Sequence, residues 1–111
     1  MSRPMMSAAA GALLRALLQR AGADQSRILL TDITTTEWHS LTFAGERHVA
    51  GFTVRGSGAM SVAQQWTDRI EDADLPIRGS RFVAEIKVSV PPFLREDGSV
   101  FLQLEALTLD A

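Results

Sequence analysis

Alternation of apolar and polar side chains is clearest in residues 81–90. Every second position there is apolar, namely Phe82, Ala84, Ile86, Val88 and Val90. A period of two sends successive side chains to opposite faces of a strand, so this segment predicts a β-strand with one covered face. Such strands are typical of an antiparallel sheet that rests on a core. The prolines at 91 and 92 predict its end.

Two other segments carry apolar residues at the three- and four-residue spacing of an α-helix. Residues 7–21 are rich in Ala and Leu, with Ser7 as the predicted N-cap and Gly22 as the predicted residue just past the end. A second helix is predicted over residues 60–73, where Ser61 and Gln64 have the spacing of a capping box. We therefore expect two amphipathic helices.

The remaining segments predict strands and turns. Residues 27–43 favour one long bent strand or two short ones, because of their branched side chains. Residues 44–47 predict a hairpin turn around Gly45, and residues 48–55 the returning strand. Residues 100–109 predict the last strand. Leu107 and Leu109 break its alternation, which indicates a bulge or a terminal segment buried on both sides.

The predicted element order is α-β-β-α-β-β, in one compact domain of residues 1–111 whose first six residues are disordered. We predict an α+β fold: an antiparallel sheet of four or five strands with two helices on one face. The two halves are compatible with an internal α-β-β duplication. The predicted core comprises Leu13, Leu17, Ile28, Leu30, Phe52, Val54, Val62, Trp66, Ile70, Phe82, Ala84, Ile86, Val88, Leu102 and Leu104.

Composition narrows the function classes. The chain has 111 residues, a formal net charge of −2 and no cluster of basic residues, which argues against nucleic acid as a partner. It has no cysteine, which fits a reducing cytoplasm, and no apolar run that approaches the roughly 20 residues of a membrane span. Residues 1–22 are basic and rich in Ala and Leu, so a targeting segment is the alternative to a docked helix there.

The two histidines are the first candidates for chemistry. His39 and His48 lie on neighbouring predicted strands, and with Glu37 they have the donor types of a metal site or an acid–base pair. The predicted register separates them by four residue steps, about 13 Å, which opposes joint metal binding. The structural interpretation is that both are hydrogen-bonding residues near the sheet margin. We predict no metal site, no catalytic residue and no cofactor.

Two further features could serve a ligand. Trp38 is predicted either in the core or on the outer sheet face, where an indole suits an interface or a ligand. Residues 55–58, Arg-Gly-Ser-Gly, precede a helix and could hold a phosphate, but they lack the full dinucleotide and P-loop patterns, which favours a flexible strand-to-helix turn. Together these features define a candidate ligand pocket between sheet and helices, formed by Trp38, His39, His48 and Arg55.

The outer sheet face is the second candidate surface. If the alternation holds, Val83, Phe101, Leu107 and Leu109 share that side with several charged residues. A mixed face with apolar spots is a common place for a partner subunit. We expect a small soluble, non-enzymatic, cytoplasmic interaction module that forms a homo-oligomer or binds another protein through this face. The alternative is a small-molecule binding protein or small enzyme that uses the Trp38 pocket.

Overall fold

The computed structural model describes residues 6–111, so nearly all of the segment predicted to be disordered, residues 1–6, lies outside the described range. The elements are α1 (Ala8–Ala21), β1 (Ile28–His39), β2 (Ala44–Val54), α2 (Ala59–Thr67), β3 (Arg81–Leu94) and β4 (Val100–Asp110). Short 3-10 helices span Gly22–Arg27 and Ile70–Asp72. The predicted α+β class and the order α-β-β-α-β-β are confirmed.

The four strands form one antiparallel sheet in the order β1-β2-β4-β3. Both helices pack on one face, which we call the inner face, around Phe52 of β2 and Leu102 and Leu104 of β4. The molecule is 22 Å thick, which fits one layer of helix on one layer of sheet. This strand order is the one that two α-β-β units would adopt about a two-fold axis between β2 and β4.

Helix α1 begins and ends as its sequence predicts. The Ser7 hydroxyl accepts a hydrogen bond from the Ala10 N–H at 3.1 Å, and Gly22 ends the helix at φ +59°. Near the end of α1, the Leu17 carbonyl accepts a 2.9 Å hydrogen bond from the Trp66 indole of α2. Arg20 donates to the Trp66 carbonyl at 2.9 Å. These two contacts tie the helices together, and Arg20 also satisfies a backbone carbonyl at the end of α2.

Helix α2 is shorter than its pattern indicates. It ends at Thr67, and Arg69 then takes the left-handed conformation at φ +55°, which stops the helix before Ile70. The predicted capping box is wrong, because Gly58 is the N-cap and Ser61 lies inside the helix. The apolar spacing continues past Thr67 because Ile70 is still buried, in a 3-10 turn rather than in an α-helix.

The first hairpin turns at residues 40–43 rather than at the predicted 44–47. The Ser40 hydroxyl accepts from the N–H groups of Thr42 and Phe43, and the Ser40 N–H donates to the Phe43 carbonyl at 2.8 Å. A serine side chain thus closes the turn through backbone hydrogen bonds. Gly45 lies inside β2, opposite Trp38 and Leu109.

Strand β3 departs most from the predicted alternation. Its register against β4 shifts at Ala84, at Ser89 and at the two prolines, which lie within the strand rather than beyond it. The bulge at Ala84 reverses the phase, so Val83 packs against the inner core while Phe82 is 41% exposed and Ala84 is exposed. The predictions of Phe82 and Ala84 as core residues, and of Val83 on the outer face, are therefore wrong.

Most of the predicted core is buried. Ten of its members are buried, namely Leu13, Leu17, Ile28, Phe52, Val54, Trp66, Ile70, Ile86, Leu102 and Leu104. Leu30, Val62 and Val88 are partly buried and pack against the same cluster. At the end of β4, residues 106–109 are all buried without a register shift against β2. Of the two explanations for the lost alternation there, burial on both sides is the correct one.

Candidate functional site

The predicted ligand pocket does not assemble, because its four residues lie on different faces and at different ends of the sheet. Trp38 and His39 are adjacent in β1, so their side chains leave the sheet on opposite faces. His39 lies opposite Ala44, eleven residues before Arg55. At the usual rise of a strand this is a separation of about 36 Å. Arg55 therefore belongs to another region of the molecule.

His48 is a buried inner-face residue with a hydrogen-bond partner on each side. It is 1% exposed, with Nδ1 at 3.0 Å from the Thr35 hydroxyl and Nε2 at 2.9 Å from the Thr108 hydroxyl. Burial lowers the pKa of His48 below its usual value, and the nearby Glu46 carboxylate opposes this shift in part. Above that lowered pKa the ring is neutral and joins β1 to β4 across β2. These contacts match the interpretation of His48 as a hydrogen-bonding residue of the sheet.

A polar cleft of about 260 Å³ opens beside the N-terminus of α1. Charged or ionisable side chains in its lining are Glu37, His39, Glu46, Arg81 and Asp110. Glu46 accepts a 2.8 Å hydrogen bond from the Ser7 hydroxyl, and His39 lies 3.7 Å from Glu37 on the exposed rim. The contacts of Ser7 and Glu46 hold the first turn of α1 against the sheet.

The turn at residues 55–58 is held by Arg27, the last residue of the 3-10 helix between α1 and β1. Arg27 donates to the Arg55 carbonyl at 2.9 Å and also to the Ser57 carbonyl. Gly58, at φ +71°, is the N-cap of α2. Because the Arg27 guanidinium binds two carbonyl groups of this turn, we interpret residues 55–58 as a structural connection between β2 and α2.

The outer face of the sheet, opposite the helices, carries an apolar row at one end. In register across the four strands lie Trp38, Gly45, Leu109 and Phe82. Gly45 leaves room for its neighbour, because a Cβ there would lie 2.9 Å from Leu109 Cδ2 and would collide with the Thr108 carbonyl oxygen. Trp38 is half-buried, Leu109 is buried and Phe82 is exposed. We call these four residues the Trp38 row.

A second apolar row lies at the other end of the outer face. Leu29, Thr53, Phe101 and Phe93 are in register there, and we call them the Phe101 row. The rings of Phe93 and Phe101 are 5.6 Å apart, and the Arg95 guanidinium lies 4.7 Å from the Phe101 ring centre. Phe93 is 46% exposed and Leu29 is 40% exposed. Both ends of the outer face are therefore apolar.

Between the two rows runs a charged band of both signs. Arg47 lies 3.2 Å from Glu105 and 3.5 Å from Glu85, and Lys87 lies 3.6 Å from Glu105. Leu107 is buried beside Arg47 and Glu85, which are its neighbours in register. These partly exposed pairs contribute little stability each, but their charges balance one another.

The structure thus places three of the four predicted interface residues, Phe101, Leu107 and Leu109, on the outer face. Sequence reasoning missed Phe82, Phe93 and Leu29 there. Phe82 faces outward because of the bulge at Ala84. Phe93 lies on the outer face because β3 continues to pair with β4 beyond its two prolines. For Leu29, the alternation with Ile28 was visible in the sequence and could have indicated the outward side.

These observations define a two-layer α+β domain with one uncovered sheet face. Within residues 6–111, no helix is long and apolar enough to cross a membrane, and no three His, Asp or Glu side chains are grouped so that they could hold a metal ion. Comparisons with models of protein families, with curated proteins and with solved structures find no match.

Proposed function

We propose that this chain is a non-enzymatic interaction module that binds a second copy of itself through the outer sheet face. The observation that carries the proposal is the position of three of the seven large apolar side chains that are exposed in the described residues. Leu29, Phe82 and Phe93 are each at least 40% exposed, and all three lie in the two apolar rows of that face. Apolar side chains gathered on one uncovered face are typical of protein interfaces.

The size of the face suits a dimer. The two central strands have 11 residues each, which corresponds to about 36 Å, and four strands span about 19 Å. The resulting area of roughly 700 Å² is close to the 800 Å² or so that each partner contributes to a standard interface. Packing a second sheet on this face would give a sandwich with the two sheets about 10 Å apart.

The charged band favours a second copy over a strongly charged partner. Arg47 and Lys87 balance Glu85 and Glu105, and Asp32, in register with Gly51 on the same face, adds one negative charge. A highly acidic or basic partner would gain little from such a band and would lose solvation of its own charges. A second copy presents the same band of both signs between the same two apolar ends.

The alternative of a small ligand or a substrate has weaker support. The four residues predicted to form its pocket are separated, and the cleft beside α1 is small and mainly polar. Known small-molecule sites are mostly apolar. We propose a cytoplasmic location, since a chain without cysteine has no disulfide to gain from an oxidising compartment.

Light scattering on variants of the exposed phenylalanines tests the proposal. Phe82→Glu and Phe93→Glu each place a carboxylate in the interface, and we expect each to raise the dimer dissociation constant about tenfold or more. Leu41→Glu is the matched control, because Leu41 is fully exposed in the β1–β2 turn and belongs to neither apolar row. A wild-type protein that stays monomeric at high micromolar concentration, or equal effects of all three variants, would contradict the proposal.

A further inference from the structure

The two edges of the sheet differ in how well they could accept another strand. Edge strand β3 has register shifts at Ala84 and Ser89 and two prolines, all of which interrupt a regular row of backbone groups. Edge strand β1 has one shift, at Thr31, and then runs in unbroken register from Asp32 to His39. That run contains no proline or lysine. In the described part of the chain no other strand pairs with its free side.

The free backbone groups of β1 can be assigned from the hairpin. The Ser40 N–H donates to the Phe43 carbonyl, so the hydrogen-bonded pairs of β1 and β2 include Ser40 and every second residue before it. The residues between them point their N–H and C=O groups away from β2. Ile33, Thr35 and Glu37 therefore present three donors and three acceptors along an open edge.

We propose that β1 pairs antiparallel with β1 of a second copy, centred on Thr35, to give a continuous eight-stranded sheet. The centre falls in the middle of the regular run, and pairing there keeps the helices of both copies on the same side, as matching side-chain faces require. Ile33, Thr35 and Glu37 would make six backbone hydrogen bonds with Glu37, Thr35 and Ile33 of the second copy.

The side chains of β1 fit this register. Thr34 lies opposite Thr36 of the second copy, and Thr–Thr pairs are favourable cross-strand neighbours. The acids of the regular run stay apart, because Asp32 faces Trp38 and Glu37 faces Ile33. A shift to an adjacent register centred between two residues would place inner-face side chains on the outer face. The threonine run at 34–36 thus makes the edge complementary to itself.

This pairing uses a different surface from the outer face and goes beyond the proposed function. It leaves the Trp38 and Phe101 rows of both copies uncovered, so a dimer through the outer face can form as well. A pairing of about seven residues buries less area than a standard interface, so we expect an association weaker than that through the outer face. Together the two contacts would build assemblies larger than a dimer.

Disulfide cross-linking tests the register directly, because the chain has no cysteine of its own. Thr34 and Thr36 of the second copy would form a pair without backbone hydrogen bonds, whose Cα atoms lie about 4.5 Å apart, within disulfide range. We expect a mixture of Thr34→Cys and Thr36→Cys chains to form the mixed disulfide at least tenfold faster than either variant alone. Thr42→Cys, in the exposed turn, gives the collisional rate.

Two further variants separate this proposal from the outer-face dimer. The experiment is repeated with Phe82→Glu and Phe93→Glu in both chains, where the mixed disulfide should still form. Glu37→Pro removes an outward N–H, and we expect it to abolish the fast cross-link, whereas Glu37→Ala preserves it. A mixture that cross-links no faster than Thr42→Cys would overturn the edge pairing. So would a Glu37→Pro mixture that keeps its circular dichroism and cross-links as fast as the Thr34→Cys and Thr36→Cys mixture that retains Glu37.

Discussion

Replacing Trp66 or Phe82 with alanine tests whether Phe82 lies on the outer face, as in the structure, or in the core beside Trp66, as strict alternation along β3 predicts. Trp66 is 3% exposed, its ring centre lies 5.0 Å from that of Phe52 in an edge-to-face contact, and its indole donates to the Leu17 carbonyl. Alternation alone would bury Phe82 equally. In the structure Phe82 is 41% exposed on an edge strand of the outer face.

The expected costs therefore differ. Trp66→Ala removes a large buried ring and leaves a cavity, which costs about 3–5 kcal/mol. Phe82→Ala loses only part of the 1.5–3 kcal/mol or so that full burial of a phenylalanine contributes, so we expect about 1–2 kcal/mol. Against a typical total of about 5–15 kcal/mol, the first loss is severe and the second is moderate.

Urea denaturation followed by circular dichroism measures both losses, at a protein concentration low enough to keep the chain monomeric. Leu41→Ala is the control and should leave the unfolding free energy unchanged, because Leu41 is fully exposed. If Trp66→Ala does not fold, Trp66→Phe still reports the core: it removes the indole hydrogen bond to the Leu17 carbonyl, at about 0.5–1.5 kcal/mol. A Phe82→Ala loss equal to that of Trp66→Ala would refute the phase reversal at Ala84.

Two further predictions concern His48 and the glycines. Burial lowers the pKa of His48 in the folded chain, whereas in the unfolded chain the pKa of this histidine is about 6.5. Below about pH 6.5 the unfolded chain therefore binds more protons than the folded chain. The unfolding free energy should then fall as the pH drops below that value, by at most about 1.4 kcal/mol per pH unit. His48→Gln should remove this slope and His39→Gln should keep it in urea titrations at several pH values; an unchanged slope in His48→Gln would contradict the assignment. Gly45→Ala should destabilise the fold by about 1–3 kcal/mol because its Cβ would collide with the backbone of β4. Gly11→Ala, in helix α1, should stabilise the fold by about 0.5–1 kcal/mol, because its Cβ would make only an ordinary contact with Arg15 Nη1, at 3.6 Å. Thermal melts that fail to show opposite signs for the two variants would count against both placements.

Local signals in the sequence predict the helices and strands well because local chemistry determines them. Ser7 caps α1 and Gly22 ends it as their residue types indicate. The hairpin turn was misplaced because Gly45 suggested a turn, whereas its role is to leave space for Leu109 of β4, a long-range contact. The serine that closes the turn, Ser40, was the signal available in the sequence.

The candidate site was less predictable because it depends on register between distant segments. One bulge at Ala84 turns Phe82 outward and Val83 inward, and alternation alone gives no sign of such a bulge. The ion pairs of Arg47 with Glu85 and Glu105 join residues 38 and 58 positions away. Only the pairing of β2 with β4 and of β4 with β3 brings the apolar rows and the charged band together on one face.

Native mass spectrometry of the protein purified from its own cell tests the central claim most directly, at a low micromolar concentration. The account predicts a species with twice the 12.1 kDa chain mass and nothing bound, which reverts to the single-chain mass when Phe82 and Phe93 are both replaced by Glu but not when Leu41 is. A wild-type chain found only as a monomer would contradict self-association through the outer face. A monomer that carries a few hundred extra daltons would in addition show a retained small molecule, and would favour the small-molecule alternative over self-association.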